Sequence, residues 1–257
     1  MSDDALRVLA LYNYGHYTSM LVSDGTVRGL NLHLRRLTDD STELFGRPVD
    51  TDAVVSDVRE FLARQPGDLV VRVTVYAADF TMQRPTEATD LRILVTGRSA
   101  PTSIAGPITL GTVPFVRELP RAKHVGLFGQ LWSRRSAQLA GRDDALLVTT
   151  DGLIVEGATW NIGFVRHDGH VDWPESDALP GVTLALVRSE YERRYPGKSS
   201  ESPVALSDLA TFAAAFTTNA VGGVRPVSQI DSHMFDVESS TLAELTRCYA
   251  ETASDPI

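Results

Sequence analysis

Apolar and polar positions alternate with two different periods along the chain. Residues 6–11 and 17–22 read as strands, with Ser23-Asp24-Gly25-Thr26 as the turn of a hairpin. Residues 30–44 read as a helix. Over 52–64, Val54, Val55, Val58, Phe61 and Leu62 recur at helical spacing and form one apolar stripe, which predicts a second helix packed on a core. Residues 69–77, 91–95 and 108–115 run apolar or alternate with β-branched residues, which predicts strands. The pattern breaks over 114–120, where two prolines bracket Phe115-Val116-Arg117-Glu118-Leu119, and this predicts a connector.

Beyond it, a helix is predicted over 128–140, closed by Gly141. Strand runs follow at 145–149, 153–155, 164–166 and 170–173, with turns at Thr150-Asp151-Gly152 and His167-Asp168-Gly169. Leu179-Pro180-Gly181-Val182-Thr183 leads into a helix ending near Tyr195. A short helix over 206–212 is expected to be capped by Ser207. Residues 216–227 read as strand, turn and strand, bending at Gly222-Gly223. A last helix starts near Ser240, where Thr241 and Glu244 have capping-box spacing. This order of elements predicts an α+β protein and not an all-parallel sheet. Its 257 residues fit two modest domains or one large one, and the expected division is a small N-terminal α/β domain over 1–115, a connector over 116–122, and a larger C-terminal mixed-sheet domain over 123–257.

Composition narrows the function. The net charge of −9 argues against non-specific binding to nucleic acid or an anionic membrane, while leaving room for a local basic pocket and a small anionic substrate. The single cysteine, Cys248, allows no intrachain disulfide, so a reducing cytosol is the expected compartment. Met1-Ser2-Asp3-Asp4 lacks a basic leader, and no run of about 18 apolar residues occurs, so neither a secretory signal nor a membrane span is expected. The sequence holds no G-x-S-x-G, no Walker loop and no G-x-G-x-x-G. His167-Asp168-Gly169-His170 sits on a turn without further ligands, so no metal is expected.

The chemistry-bearing residues are few. Lys123 follows the connector in Arg121-Ala122-Lys123-His124. Taken alone it reads as a solvated lysine at a helix start, but a lysine amine can also form an imine with a cofactor aldehyde. Glu156 ends the apolar run Leu153-Ile154-Val155. A carboxylate there faces water or, if half-buried, needs a cationic partner, and a protonated pyridinium would be one. Gly157 after it lets the backbone approach a ligand. Leu179-Pro180-Gly181-Val182-Thr183 offers helix-start N–H groups and a hydroxyl suited to phosphate, or is a plain turn. Of Arg35 and Arg36, adjacent on a helix, one can point inward to bind phosphate. Thr217-Thr218-Asn219-Ala220-Val221-Gly222-Gly223 is either a hairpin turn or a loop offering hydroxyls and amides to an anion.

In this order, H-L-x-R-L, lysine, E-G-x-x-x-N, L-P-G-V-T and a small-residue loop closing on Pro226-Val227 and Asp231, the chain resembles class IV aminotransferases over roughly residues 10–235. That group includes branched-chain and D-amino acid aminotransferases and aminodeoxychorismate lyases, all of the type IV pyridoxal phosphate fold. The resemblance implies pyridoxal 5'-phosphate as cofactor, bound between two domains, amino acid and keto acid substrates, and a cytoplasmic homodimer. It further implies that Lys123 is the Schiff-base lysine, Glu156 the acid on the pyridine nitrogen, and Arg36 the phosphate arginine. Val182 and Thr183 match the helix-start phosphate contacts, Asn161 the asparagine after the glutamate, and Thr218 and Asn219 the last phosphate loop. Phe128 stands where branched-chain aminotransferases carry a tyrosine, Leu127 where they carry an asparagine, and Ala220 where the loop threonine is expected. Lys123-His124 is similar to the pair in aminodeoxychorismate lyases. Amino transfer is the expected reaction, lyase release of pyruvate the alternative, and cofactor binding without turnover a second alternative.

Overall fold

The computed structural model describes residues 3–103 and 105–257. The chain separates into two compact units, Met1–Thr102 with Arg121–Leu127 and Ala253–Ile257, and Ser103–Pro120 with Phe128–Thr252. The contacts therefore divide it elsewhere than at the expected connector. Most of that connector packs with the larger unit, and Lys123 packs with the smaller.

The smaller unit begins with α1 (Asp3–Arg7), which passes into a π-helical turn at Val8–Tyr12. The strand expected over 6–11 is thus helical. Ala5, Val8, Leu9 and Tyr12 meet one apolar cluster at helical spacing, and a short apolar run does not reveal its period until it has a partner. β1 (His16–Ser23) and β2 (Thr26–Arg28) form the expected hairpin. Then come α2 (Leu30–Phe45), α3 (Thr51–Leu62), β3 (Leu69–Ala77) and β4 (Leu91–Ser99). β1 pairs antiparallel with β3, and β3 with β4. Leu30 and Leu37 of α2 and Val54 and Val58 of α3 pack with Val71, Val73 and Val75 of β3. Each such side chain, fully buried, contributes roughly 1.5–3 kcal/mol. Asp50 caps α3 by accepting the Asp52 and Ala53 N–H groups.

The larger unit runs β5 (Ile108–Pro114), α4 (Phe128–Leu139), β6 (Asp144–Val148), β7 (Ile154–Gly157), β8 (Asn161–Arg166) and β9 (Val171–Pro174). It continues through α5 (Val182–Arg194), β10 (Ser199–Ser202), a 3-10 turn at Leu206–Thr211, β11 (Phe212–Asn219), β12 (Gly223–Ile230), β13 (His233–Met234) and α6 (Ser240–Ala250). Its sheet has the order β10-β9-β8-β11-β12-β5-β6-β7, with β13 beside β12. The sheet is mixed, as expected: β9–β10, β12–β5 and β5–β6 are parallel and the rest antiparallel. Alternation divides the faces. Phe164 and Ala215 enter one cluster, while Val165, Ala214 and Phe216 enter another with Val187 and Tyr191 of α5 and Leu242 and Leu245 of α6.

Two expected caps are not formed. The 3-10 turn is fixed by Asp208, which accepts the Ala205 N–H, so Ser207 does not cap it. Thr241 lies inside α6, whose N-cap residue is Ser239 with no side-chain cap bond, and Glu244 accepts the Tyr195 hydroxyl and pairs with Arg247. The last strand, β14 (Ser254–Pro256), pairs with β2 and completes the sheet β14-β2-β1-β3-β4.

Candidate active site

In the smaller unit, Lys123 lies on an extended segment paired with the start of β1, not at a helix start. The Tyr17 N–H donates to the Lys123 carbonyl at 2.9 Å, and the Val125 N–H donates to the Gly15 carbonyl at 2.9 Å. The Lys123 N–H donates to Asp40 Oδ2 at 2.9 Å. Both backbone polar groups of the lysine are therefore engaged. Its side chain is half-buried, with Nζ 4.9 Å from the centre of the Tyr17 ring. The Arg72 guanidinium sits 3.6 Å from the same ring centre, and Arg72 Nε donates to Thr74 Oγ1 at 3.2 Å.

Helix α2 brings His33, Arg36 and Asp40 to this segment, because spacings of three and four place them on one face. His33 Nδ1 shares a 2.7 Å hydrogen bond with Thr18 Oγ1. Burial, with Arg36 and Lys123 nearby, pushes its imidazole down to about 3, so His33 is neutral here. Burial pushes Asp40 up to about 6, although the Lys123 N–H and the charges of Arg36 and Lys123 pull the other way. Of the residues expected to bind a cofactor, the structure thus brings Lys123 and Arg36 to the same two groups, His33 and Asp40.

The larger unit holds the remaining ones. Glu156, on β7, is buried, and its cationic partner on this chain is Arg117, whose Nη1 lies 3.1 Å from Oε1. The two side chains are 6% and 4% exposed. The second oxygen, Oε2, accepts the Leu179 N–H at 3.1 Å. Asn161, at the start of β8, donates its carboxamide N–H to the Leu179 carbonyl at 2.8 Å. Glu156 and Asn161 therefore grip the loop before α5 by both of its polar backbone groups. Gly181 ends that loop, and a methyl group there would overlap the Asn161 carboxamide oxygen. Val182 and Thr183 open α5, where the first N–H groups have no acceptor within the helix and favour an anion.

Thr218 stands directly opposite Asn161 in the β8–β11 ladder. Its hydroxyl is buried and makes no hydrogen bond among the described residues. Such an orphaned donor, beside a strand that holds a helix start, suits an anionic ligand. Asn219 has another employment: its oxygen accepts the Val221 and Gly222 N–H groups at 3.0 and 2.7 Å and closes the β11–β12 turn. Gly157 makes room for the Trp160 indole, whose N–H donates to Asp144 at 2.8 Å, so packing and not ligand approach explains that glycine. Phe128 is 78% exposed and stacks on Trp132.

The pattern of the chain did not point to Arg117, Asp40, Tyr17 or Arg72. For Arg117 a signal existed, since a buried acid requires a cation and the connector contains one.

The sequence profile of the family described as Amino-transferase class IV matches residues 15–230. A putative branched-chain-amino-acid aminotransferase of Methanocaldococcus jannaschii is 24% identical over 257 residues, covering 95% of this chain and 88% of that protein. Among solved structures, a putative 4-amino-4-deoxychorismate lyase of Legionella pneumophila superposes with a TM-score of 0.86 at 18% identity, covering 95% of this chain and 93% of that one. An aminotransferase of Brucella abortus bound to pyridoxal phosphate gives 0.83 at 22% identity, with 94% and 90% covered. At these identities the superpositions show a shared fold.

Proposed function

We propose, from the premise that the chain belongs to the class IV aminotransferase family, that it moves an amino group from an amino acid to a keto acid and that Lys123 carries the reaction. The family makes it an enzyme dependent on pyridoxal phosphate. Bound, that cofactor supplies an aldehyde to capture amines and a ring that spreads carbanion charge. The observation that carries the reading is the setting of Lys123, a half-buried amine whose backbone is held at both polar groups. A lysine so placed can deliver its amine to a carbonyl and later move a proton as base and acid.

The other residues have holding roles in this reading. Arg36 would hold the phosphate, its guanidinium being able to donate two N–H groups to one anion. The N–H groups of Val182 and Thr183 and the hydroxyls of Thr183 and Thr218 would donate to phosphate oxygens. Glu156, paired with Arg117, would offer a carboxylate to the pyridine nitrogen; each carboxylate oxygen accepts more than one donor, so its bonds to Arg117 and Leu179 leave capacity. Asn161 holds the helix start in place, and Asn219 shapes the turn beside it. The same reading makes the protein a cytoplasmic homodimer. The exposed apolar face of α4, with Phe128, Leu131, Trp132 and Leu139, supports a covering partner surface.

The test is spectroscopic and chemical. Incubation with pyridoxal phosphate is expected to produce an absorbance band near roughly 400 nm that Lys123→Ala abolishes. The loaded enzyme is expected to form keto acids from members of a panel of L- and D-amino acids. A colourless wild-type protein, or a band that survives Lys123→Ala, sinks the reading. Release of pyruvate and 4-aminobenzoate from aminodeoxychorismate, with no keto acid from any amino acid, would assign the lyase reaction instead.

A further inference from the structure

We propose that Asp40 is a positioning residue for Lys123: its carboxylate holds the lysine's backbone N–H and places a negative charge among the cations surrounding the amine. This inference rests on the reading that Lys123 carries the reaction.

The geometry is specific. Asp40 Oδ2 accepts the Lys123 N–H at 2.9 Å, and Asp40 follows Arg36 by one helical turn on α2. A backbone amide fixed in this way cannot shift without breaking a half-buried, charge-assisted hydrogen bond. The surroundings are cationic. Arg36 comes from α2, Arg72 from β3 lies over the Tyr17 ring, and Lys123 approaches that ring too. His33 is held neutral, and His124 pairs through its backbone with His16. Asp39, the neighbouring acid on α2, is 65% exposed at its side chain and pairs with Arg35 at 3.5 Å. Asp40, with 5% of its surface exposed, is the buried acid of this cluster. Its charge opposes those of Arg36 and Arg72 and raises the proton affinity of the amine. A lysine that must both attack a carbonyl and return a proton needs that balance. The burial that pushes Asp40 up to about 6 also means that its charge is removed by mild acid.

Asp40→Asn separates charge from hydrogen bonding, because the carboxamide oxygen still accepts the Lys123 N–H. The chain has two lysines, Lys123 and the exposed Lys198, so one serves as internal reference for the other. In the full chain freed of cofactor, the acetylation rate of each lysine is followed against pH by peptide mass spectrometry. In D40N the midpoint at Lys123 is expected to fall by about one pH unit, raising its relative rate up to about tenfold below the midpoint, with Lys198 unchanged. The pH midpoint of the visible band of the cofactor-loaded enzyme is expected to move the same way. A folded D40N protein with an unchanged Lys123 midpoint overturns the proposal. If D40N does not fold, the wild type decides: its Lys123 curve must show a second inflection near pH 6, where Asp40 loses its charge, and a single smooth transition overturns the proposal. A wild type that gives no band with the cofactor sinks the functional reading and leaves the acetylation result standing on its own.

Discussion

The residues around Lys123 and those around Glu156 are both buried and polar, yet they are built on opposite plans. Around Lys123, cations outnumber the buried carboxylate among the described residues: Arg36 and the lysine act on Asp40, which burial pushes up to about 6, and Arg72 shares the Tyr17 ring with the lysine. Around Glu156, the charges are closed one to one. Arg117 takes one oxygen, the Leu179 N–H takes the other, and Asn161 fixes the carbonyl of the same residue. The first arrangement can change charge under mild conditions. The second resists change, because opening it strands a charge in a dry interior. In the proposed reading the lysine moves protons in the first setting and Glu156 and Asn161 hold in the second, while Arg36 holds phosphate from the first.

The largest effect that would test this contrast is at Arg117. Arg117→Met leaves Glu156 buried without its cation, and a loss of about 3–5 kcal/mol of stability is expected. Urea denaturation measures it. Adding Glu156→Leu to that variant is expected to recover most of the loss, because the stranded charge is then gone. If Arg117→Met changes stability by less than about 1 kcal/mol, the pair is not the rigid element described above.

Gly181→Ala is expected to have the next largest effect. The backbone there is ordinary, with φ −66°, so alanine brings no strain of its own. The added methyl instead meets the Asn161 carboxamide, which must leave its bond to the Leu179 carbonyl. Roughly 1–3 kcal/mol is expected to be lost, together with affinity for pyridoxal phosphate. Asn161→Gly in the same chain is expected to cost less than the sum of the two single changes. Strict additivity would show that the two residues do not meet.

How far these features could be read from the chain follows from what carried the signal. The strands 69–77 and 108–114 and the helix over 51–62 were legible because period two and period 3.6 are imposed by burial on one side. The first residues were not, because Ala5, Val8 and Leu9 show their helical spacing only against Tyr76 and Phe80, far along the chain. Glu156 is legible as an acid in an apolar strand that needs a cation, but the pattern of the chain does not single out Arg117 as that cation. No local rule links positions 39 residues apart. Asp40 was hidden for a similar reason. In its helix it looks like one of two adjacent acids, and only the distant Lys123 amide distinguishes it from the exposed Asp39.

The contrast also has a sign in pH. His16 and His33 hold out against protonation down to about 3 because they are buried, whereas in the unfolded chain they take a proton near about 6.5. Between those values the unfolded state binds up to two more protons, so stability falls as pH falls. Asp40 acts oppositely. It binds its proton below about 6 when folded but only below 3.8 when unfolded, so between those values it favours the fold as pH falls. From pH 6 to 4 the three groups leave one proton's imbalance, a loss of about 1.4 kcal/mol for each pH unit. His33→Gln is expected to flatten this slope and Asp40→Asn to steepen it, read from urea midpoints across the range. A slope that neither change alters would mean that the titrating groups lie elsewhere.

The smallest effect expected is the most discriminating for the holding side. The Thr218 hydroxyl is buried and has no hydrogen-bond partner among the described residues, so by itself it contributes nothing to the fold. Thr218→Val keeps the shape and removes the orphaned group. Stability of the cofactor-free chain is expected to stay level or rise by up to about 1 kcal/mol. If the hydroxyl is retained for a phosphate oxygen, the same change is expected to weaken pyridoxal phosphate binding about tenfold, the worth of one hydrogen bond to a charged group. Fluorescence titration with the cofactor and urea denaturation without it separate the two effects. A valine variant that is less stable and binds as before would show that Thr218 serves the sheet, and the phosphate role would then rest on Arg36, Thr183 and the start of α5.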